Sequence, residues 1–169
     1  MRFGIFICLS SLLFACSSKK NQVQPVIPVV AAENVKEIVT DTMLYYSRGA
    51  CYGMCPIFEL TVMKDGRAFY LGKNHVDRIG RFQAIIDYSD MAPVLQKANE
   101  IGYFELNGVY DNEGIQDLPN IITAIANNGK LHRVRNRYKG PAALRMLYIE
   151  LDTLIAKQTW TPVTVIKQD

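Results

Sequence analysis

The stretch that decides the fold is Ile57-Phe58-Glu59-Leu60-Thr61-Val62-Met63-Lys64-Asp65-Gly66-Arg67-Ala68-Phe69-Tyr70-Leu71. Phe58, Leu60 and Val62 alternate with Ile57, Glu59, Thr61 and Met63, the two-residue period of a strand with one face in a core. Asp65-Gly66 supplies the side chain and the conformational freedom that a tight turn demands. Arg67 to Leu71 then reads as the returning partner strand. The centre of the chain is therefore an antiparallel hairpin.

Working outward, Lys36 to Tyr46 carries Ile38, Val39, Thr40, Thr42, Tyr45 and Tyr46 and reads as an earlier strand. A loop holding Gly49, Cys51, Gly53 and Cys55 joins it to the hairpin. Downstream, Phe82 to Asp87 adds a strand entered through Gly80. Ser89 is placed to cap a helix whose Val94, Leu95, Ala98 and Ile101 share a face, with Pro93 in the first turn and Gly102 at the end. Asn107 to Asp117 reads as an irregular loop. Pro119 to Ala126 and Lys130 to Arg137 form a second hairpin about Asn127-Asn128-Gly129. Gly140-Pro141 then opens a helix with Leu144, Leu147, Tyr148, Leu151, Leu154 and Ile155 at helical spacing. The order predicts an α+β domain over residues 36–158: a mainly antiparallel sheet of about five to six strands with two helices on one face. Residues 159–169 read as a C-terminal tail.

The first residues carry an address. Arg2 precedes an apolar run, Phe3 to Ala15, interrupted by Ser10 and Ser11. It is shorter than the about 20 residues a spanning helix requires, and fits the core of a signal peptide over residues 1–15. Its end, Leu13-Phe14-Ala15-Cys16, resembles the lipobox of bacterial lipoproteins, with Phe14 bulkier than the usual occupant. The resemblance implies cleavage before Cys16, diacylglycerol and usually a further acyl chain (palmitate-like) on that residue, and a membrane anchor that does not span. Each buried CH₂ adds about 0.8 kcal/mol to such an anchor. No later segment approaches spanning length, which leaves Cys16 as the anchor. Ser17 stands where an inner-membrane retention Asp would be, and Lys19-Lys20 are basic. The expected location is the outer membrane, facing the periplasm. Residues 16–35, with Pro25 and Pro28, read as a tether.

A second resemblance is more specific. Ala50-Cys51-Tyr52-Gly53-Met54-Cys55-Pro56-Ile57-Phe58, Asp65-Gly66, Asp117-Leu118-Pro119, Asn128-Gly129-Lys130 and Tyr138-Lys139-Gly140-Pro141 resemble the DUF6438 family, found in lipoproteins and secreted proteins of Bacteroidota. The likeness covers roughly residues 38 to 156. Phe58 stands where that family usually has Tyr. The resemblance implies domain limits and an exported setting, and no activity.

Among the four cysteines, Cys8 lies in the signal peptide and Cys16 in the lipobox, leaving Cys51 and Cys55. A pair of cysteines in an exported protein favours a disulfide, here a clip on the loop before the central hairpin. The alternative is a thiol-based copper or redox protein using the same two residues. The Cys-x3-Cys-Pro spacing is similar to the copper site of Sco proteins, soft thiolates suit Cu(I), and His75 or His132 could add a ligand. Those sites, however, open a helix in a βαβ setting, whereas this motif runs into a strand.

On the Lys130–Arg137 strand and its extension, alternation gathers Arg133, Arg135, Arg137 and Lys139 on one face. Such a row can bind phosphate or carboxylate groups, for example of lipid head groups or cell-wall polymers, or can simply keep an exposed strand soluble. Asp111, Glu113 and Asp117 invite calcium, but in the EF-hand frame counted from Asp111 the fifth place is Ile115, the sixth Gln116 and the twelfth Ile122. No hydrolase or phosphate-loop motif is present, and two histidines give little material for acid–base chemistry. A formal net charge of +3 implies no pull toward nucleic acid. The sequence thus favours a non-catalytic, lipid-anchored envelope module that binds a protein or polymer, without cofactor or resident metal. An enzyme acting on envelope material comes last.

Overall fold

The computed structural model describes residues 41–115 and 117–164. The expected signal peptide, Cys16, the expected tether and the start of the expected first strand lie outside the described residues.

The central hairpin forms where the pattern places it, with β2 at Ile57–Met63 and β3 at Arg67–Asn74. Leu60 sits opposite Tyr70 and Val62 opposite Ala68, so every inward residue of one strand meets an inward residue of the other. Gly66 adopts φ 86°, and the Arg67 N–H donates to Asp65 Oδ1 at 3.0 Å. A Cβ on Gly66 would stand 2.8 Å from the Ile86 carbonyl oxygen, so the turn needs glycine for space as well as dihedral.

β1, Thr42–Arg48, pairs antiparallel with β2 on one side and with β6, Ile121–Asn127, on the other. β4 (Gly80–Ile85) pairs with β3, and β7 (Lys130–Asn136) with β6. Two short strands complete the edges: β5 (Val109–Tyr110), parallel to β7, and β8 (Thr161–Pro162), antiparallel to β4. The spatial order is β5-β7-β6-β1-β2-β3-β4-β8. With helices α1 (Tyr88–Glu100) and α2 (Leu144–Lys157), this is an α+β fold with eight strands among the described residues.

The two extra strands are both only two residues long. The expected loop after Asn107 contains β5, whose place is fixed by the Arg135 N–H donating to Gly108 O at 2.9 Å. The expected tail contains β8, where Pro162 tolerates an edge because an edge strand leaves one row of N–H groups unpaired. Trp160 anchors the approach: its ring lies 5.4 Å from that of Tyr70, and its indole N–H donates to Ile155 O at 2.9 Å.

The core lies between the sheet and the helices. Leu44, Tyr46, Leu60, Val62 and Ala68 have no solvent exposure, and Met91, Val94 and Ala98 of α1 meet Leu147, Leu151 and Leu154 of α2 in the same cluster. Each such large apolar side chain contributes about 1.5–3 kcal/mol by burial. α1 begins one residue before Ser89. The Asp87 carbonyl takes the N–H groups of Asp90 and Met91, so Ser89 lies inside the helix rather than capping it and Pro93 falls in the second turn. Gly102, at φ 62°, ends α1 as expected. Among the described residues no helix is long and apolar enough to cross a membrane.

Candidate functional site

Because β1 and β2 are antiparallel neighbours, with Arg48 opposite Phe58, the segment between them must turn back on itself at one end of the sheet. Cys51 and Cys55 close that segment with a disulfide, their Cα atoms 5.9 Å apart, inside the usual range. The loop is also tied to the chain before β6: Gly49 N–H donates to Asn120 O at 2.9 Å and Tyr52 N–H to Asp117 O at 3.3 Å. Gly53 sits at φ 141°, a conformation few L-residues accept. Within this small ring, Tyr52 is 90% exposed and Met54 85% exposed. A covalently restrained loop thus holds one aromatic and one thioether side chain out in water. Neither residue stands out in the sequence, since an apolar residue next to cysteine reads equally well as buried.

Pro56 leads from the loop to a cleft of about 280 Å³ between the β3–β4 connection and α2. Its built part is a closed ring of polar contacts. Arg48 Nε donates to the Tyr46 hydroxyl at 2.6 Å, that hydroxyl donates to Asp152 Oδ1 at 3.0 Å, and Arg48 Nη2 donates to Asp152 Oδ2 at 2.6 Å. Burial pushes the Tyr46 phenol well above its ordinary value, reinforced by the Asp152 charge and opposed by Arg48. Burial also raises the Asp152 carboxyl, with Arg48 opposing it. The floor is Phe58, Tyr70, Val76 and Ile155, and the outer wall carries His75, Asp77 and Arg78. The wall is brought close by Gly72: a Cβ there would lie 1.7 Å from the Arg78 carbonyl oxygen. Gly72 was the available sequence signal for this approach, but a lone glycine within a strand pattern does not say which segment comes near.

The basic segment is arranged differently from a free row. Asp111, from the loop after β5, pairs with both Arg135 and Arg137, the latter at 3.5 Å, and Arg137 also donates to the Ile115 carbonyl. The strand stops at Asn136, so Arg137 and Lys139 lie beyond it. Lys139, at φ 52°, places its ammonium 5.2 Å from the ring of Tyr138. Arg133 remains exposed on β7. Asp111 is thereby a counter-ion for two guanidiniums. His132 packs edge-on against Tyr103 and Phe104, while His75 stands exposed at the cleft. Among the described residues no group of three or more His, Cys, Asp or Glu side chains is placed to hold a metal ion. Both thiols that a copper site would use are consumed by the disulfide.

The architecture and loop define a class: an α+β domain with a single helical layer and a disulfide-clipped β1–β2 connection. The chain matches the family model described as a domain of unknown function, DUF6438, over residues 42–155, and it belongs to that family. The match begins at the first residue of β1 and ends within α2, so it includes the loop and all of the cleft lining but Ala156. None of the curated proteins compared with the chain matches it.

Proposed function

We propose that the chain is a lipid-anchored envelope protein whose domain is a non-catalytic binding module, with the Cys51–Cys55 loop as its recognition element. The observation that carries this reading is the exposure of Tyr52 and Met54 on a ring closed by a disulfide. Aromatic side chains dominate the energetics of protein interfaces, and methionine adapts to irregular partner surfaces. Restraining the backbone that carries them before contact lowers the ordering cost of binding. The partner class that fits is a protein surface with an apolar pocket. Cys16 is the proposed lipidation site, with the outer membrane and its periplasmic face as the proposed location.

A photo-reactive benzoylphenylalanine at position 52 of the full-length chain, irradiated in the exporting cell, tests the recognition element. The expected result is one discrete adduct that weakens at least tenfold with Met54→Ala and is missing when the probe sits at position 153 on the outer face of α2. The same adduct from both positions, or none from position 52, would contradict the reading. Metabolic labelling with a palmitate analogue, lost in Cys16→Ser, tests the anchor separately.

A further inference from the structure

We propose that the cleft beside the loop is a binding site for an apolar monocarboxylate, gripped by Arg78 and Arg48. This site is distinct from the loop and does not rest on the loop reading. Arg78 is half-buried, yet among the described residues it makes no ion pair or hydrogen bond. Its guanidinium nitrogens keep contact with solvent, so their donors are open to an acceptor that a ligand supplies in the planar, two-point geometry a guanidinium offers. Arg48 lines the same cleft and is already oriented: its Nε and Nη2 are engaged with Tyr46 and Asp152, leaving Nη1 for a ligand. A group fixed in this way gives up little freedom when it binds.

The remaining lining narrows the ligand class. Phe58, Tyr70 and Val76 offer an apolar floor that a bare inorganic anion would leave unused. Asp77 and Asp152 balance the two arginines in formal charge, so the lining holds no surplus positive charge, which disfavours a dianion such as phosphate more than a monoanion. A carboxylate on an apolar body satisfies both conditions. Two sources share that chemistry: a free short-chain acid, and the C-terminus of a peptide ending in an apolar residue.

The test is a titration of the uniformly ¹⁵N-labelled full-length chain in non-ionic micelles, followed by amide and guanidinium resonances. The probes are hexanoate, N-acetylleucine, the neutral amide of each, and inorganic phosphate. The expected result is saturable shifts confined to the cleft with the two carboxylates, at least tenfold weaker with the amides and with phosphate. Arg78→Ala and Arg78→Gln should each weaken carboxylate binding at least tenfold while the rest of the spectrum stays in place. N-acetylleucine binding threefold or more tighter than hexanoate assigns a peptide terminus, and any lesser preference assigns a small acid. Amides binding as well as acids, phosphate matching the carboxylates, or no saturation with either acid would overturn the proposal, as would unchanged binding in both Arg78 variants.

Discussion

Arg48 Nη2 lies 2.6 Å from Asp152 Oδ2, joining the end of β1 to the outer turns of α2 across 104 residues of sequence. The contact is the visible half of a ring whose third member, Tyr46, is fully buried. Removing the carboxylate therefore does more than break a surface ion pair. Arg48 and Asp152 side chains are 23% and 46% exposed, and solvent screening holds their direct attraction to about 1 kcal/mol or less. The buried Tyr46 hydroxyl, by contrast, loses its acceptor, which costs about 1–3 kcal/mol. Asp152→Ala should lower stability by about 1–3 kcal/mol in urea unfolding. In the Tyr46→Phe background the same change should cost under about 1 kcal/mol, because no buried donor is orphaned.

Alkali should unfold the domain. Tyr46, Tyr70, Tyr103 and Tyr148 all have phenols raised above their ordinary value, in each case chiefly by burial. The neutral form is favoured in the folded chain, so their contribution is fully present below the unfolded tyrosine value near 10 and is lost as pH rises above it. Absorbance at the phenolate band should show these four ionising only together with loss of the fold.

Asp111 serves two arginines from a largely buried position, its side chain 12% exposed. Asp111→Ala leaves Arg135 and Arg137 without a carboxylate. Breaking a buried pair costs about 3–5 kcal/mol, and the partial exposure of both guanidiniums reduces this to roughly 1–3 kcal/mol. Chemical unfolding should report that loss, and hydrogen exchange should show it concentrated at β5 and β7.

Gly72→Ala places a methyl group where the Arg78 carbonyl now stands, 1.7 Å from the new Cβ. Moving the β3–β4 connection outward should cost about 1–3 kcal/mol, the range for overpacked sites. The accompanying shift of Arg78 should appear in spectra of the cleft residues before the global transition.

These effects also show which parts of the molecule a linear reading reaches. The central hairpin was legible because Phe58, Leu60 and Val62 carry a strict two-residue period ending at Asp65-Gly66, and both helices were legible from their apolar stripes. The edges were not: β5 and β8 are two residues each, too short for any period. Their position comes from tertiary contacts such as Trp160 on Tyr70. The Cys51–Cys55 pairing followed from the residues themselves, since few partners were available. The cleft did not, because Arg48, Arg78 and Asp152 come from three separate elements and each reads alone as an ordinary surface charge. The surroundings of the arginine row were hidden for a related reason. Alternation along β7 describes a strand in isolation, whereas Asp111 arrives from the preceding loop and takes up two of its members.

Closing a ring of five residues restrains the unfolded chain only modestly, by about 2 kcal/mol. Cys51→Ser with Cys55→Ser should therefore leave the sheet and helices folded in urea and thermal melts. Intact mass spectrometry of the unreduced wild-type chain should show Cys51 and Cys55 unreactive to alkylation until reductant is added.

The most direct test of the account compares photo-crosslinking from position 52 in the wild-type chain and in the folded double-serine chain. If the disulfide holds Tyr52 and Met54 ready for a partner, the adduct should fall at least tenfold in the double-serine chain while its expression and fold persist. An undiminished adduct from that chain would contradict the role of the clip in recognition.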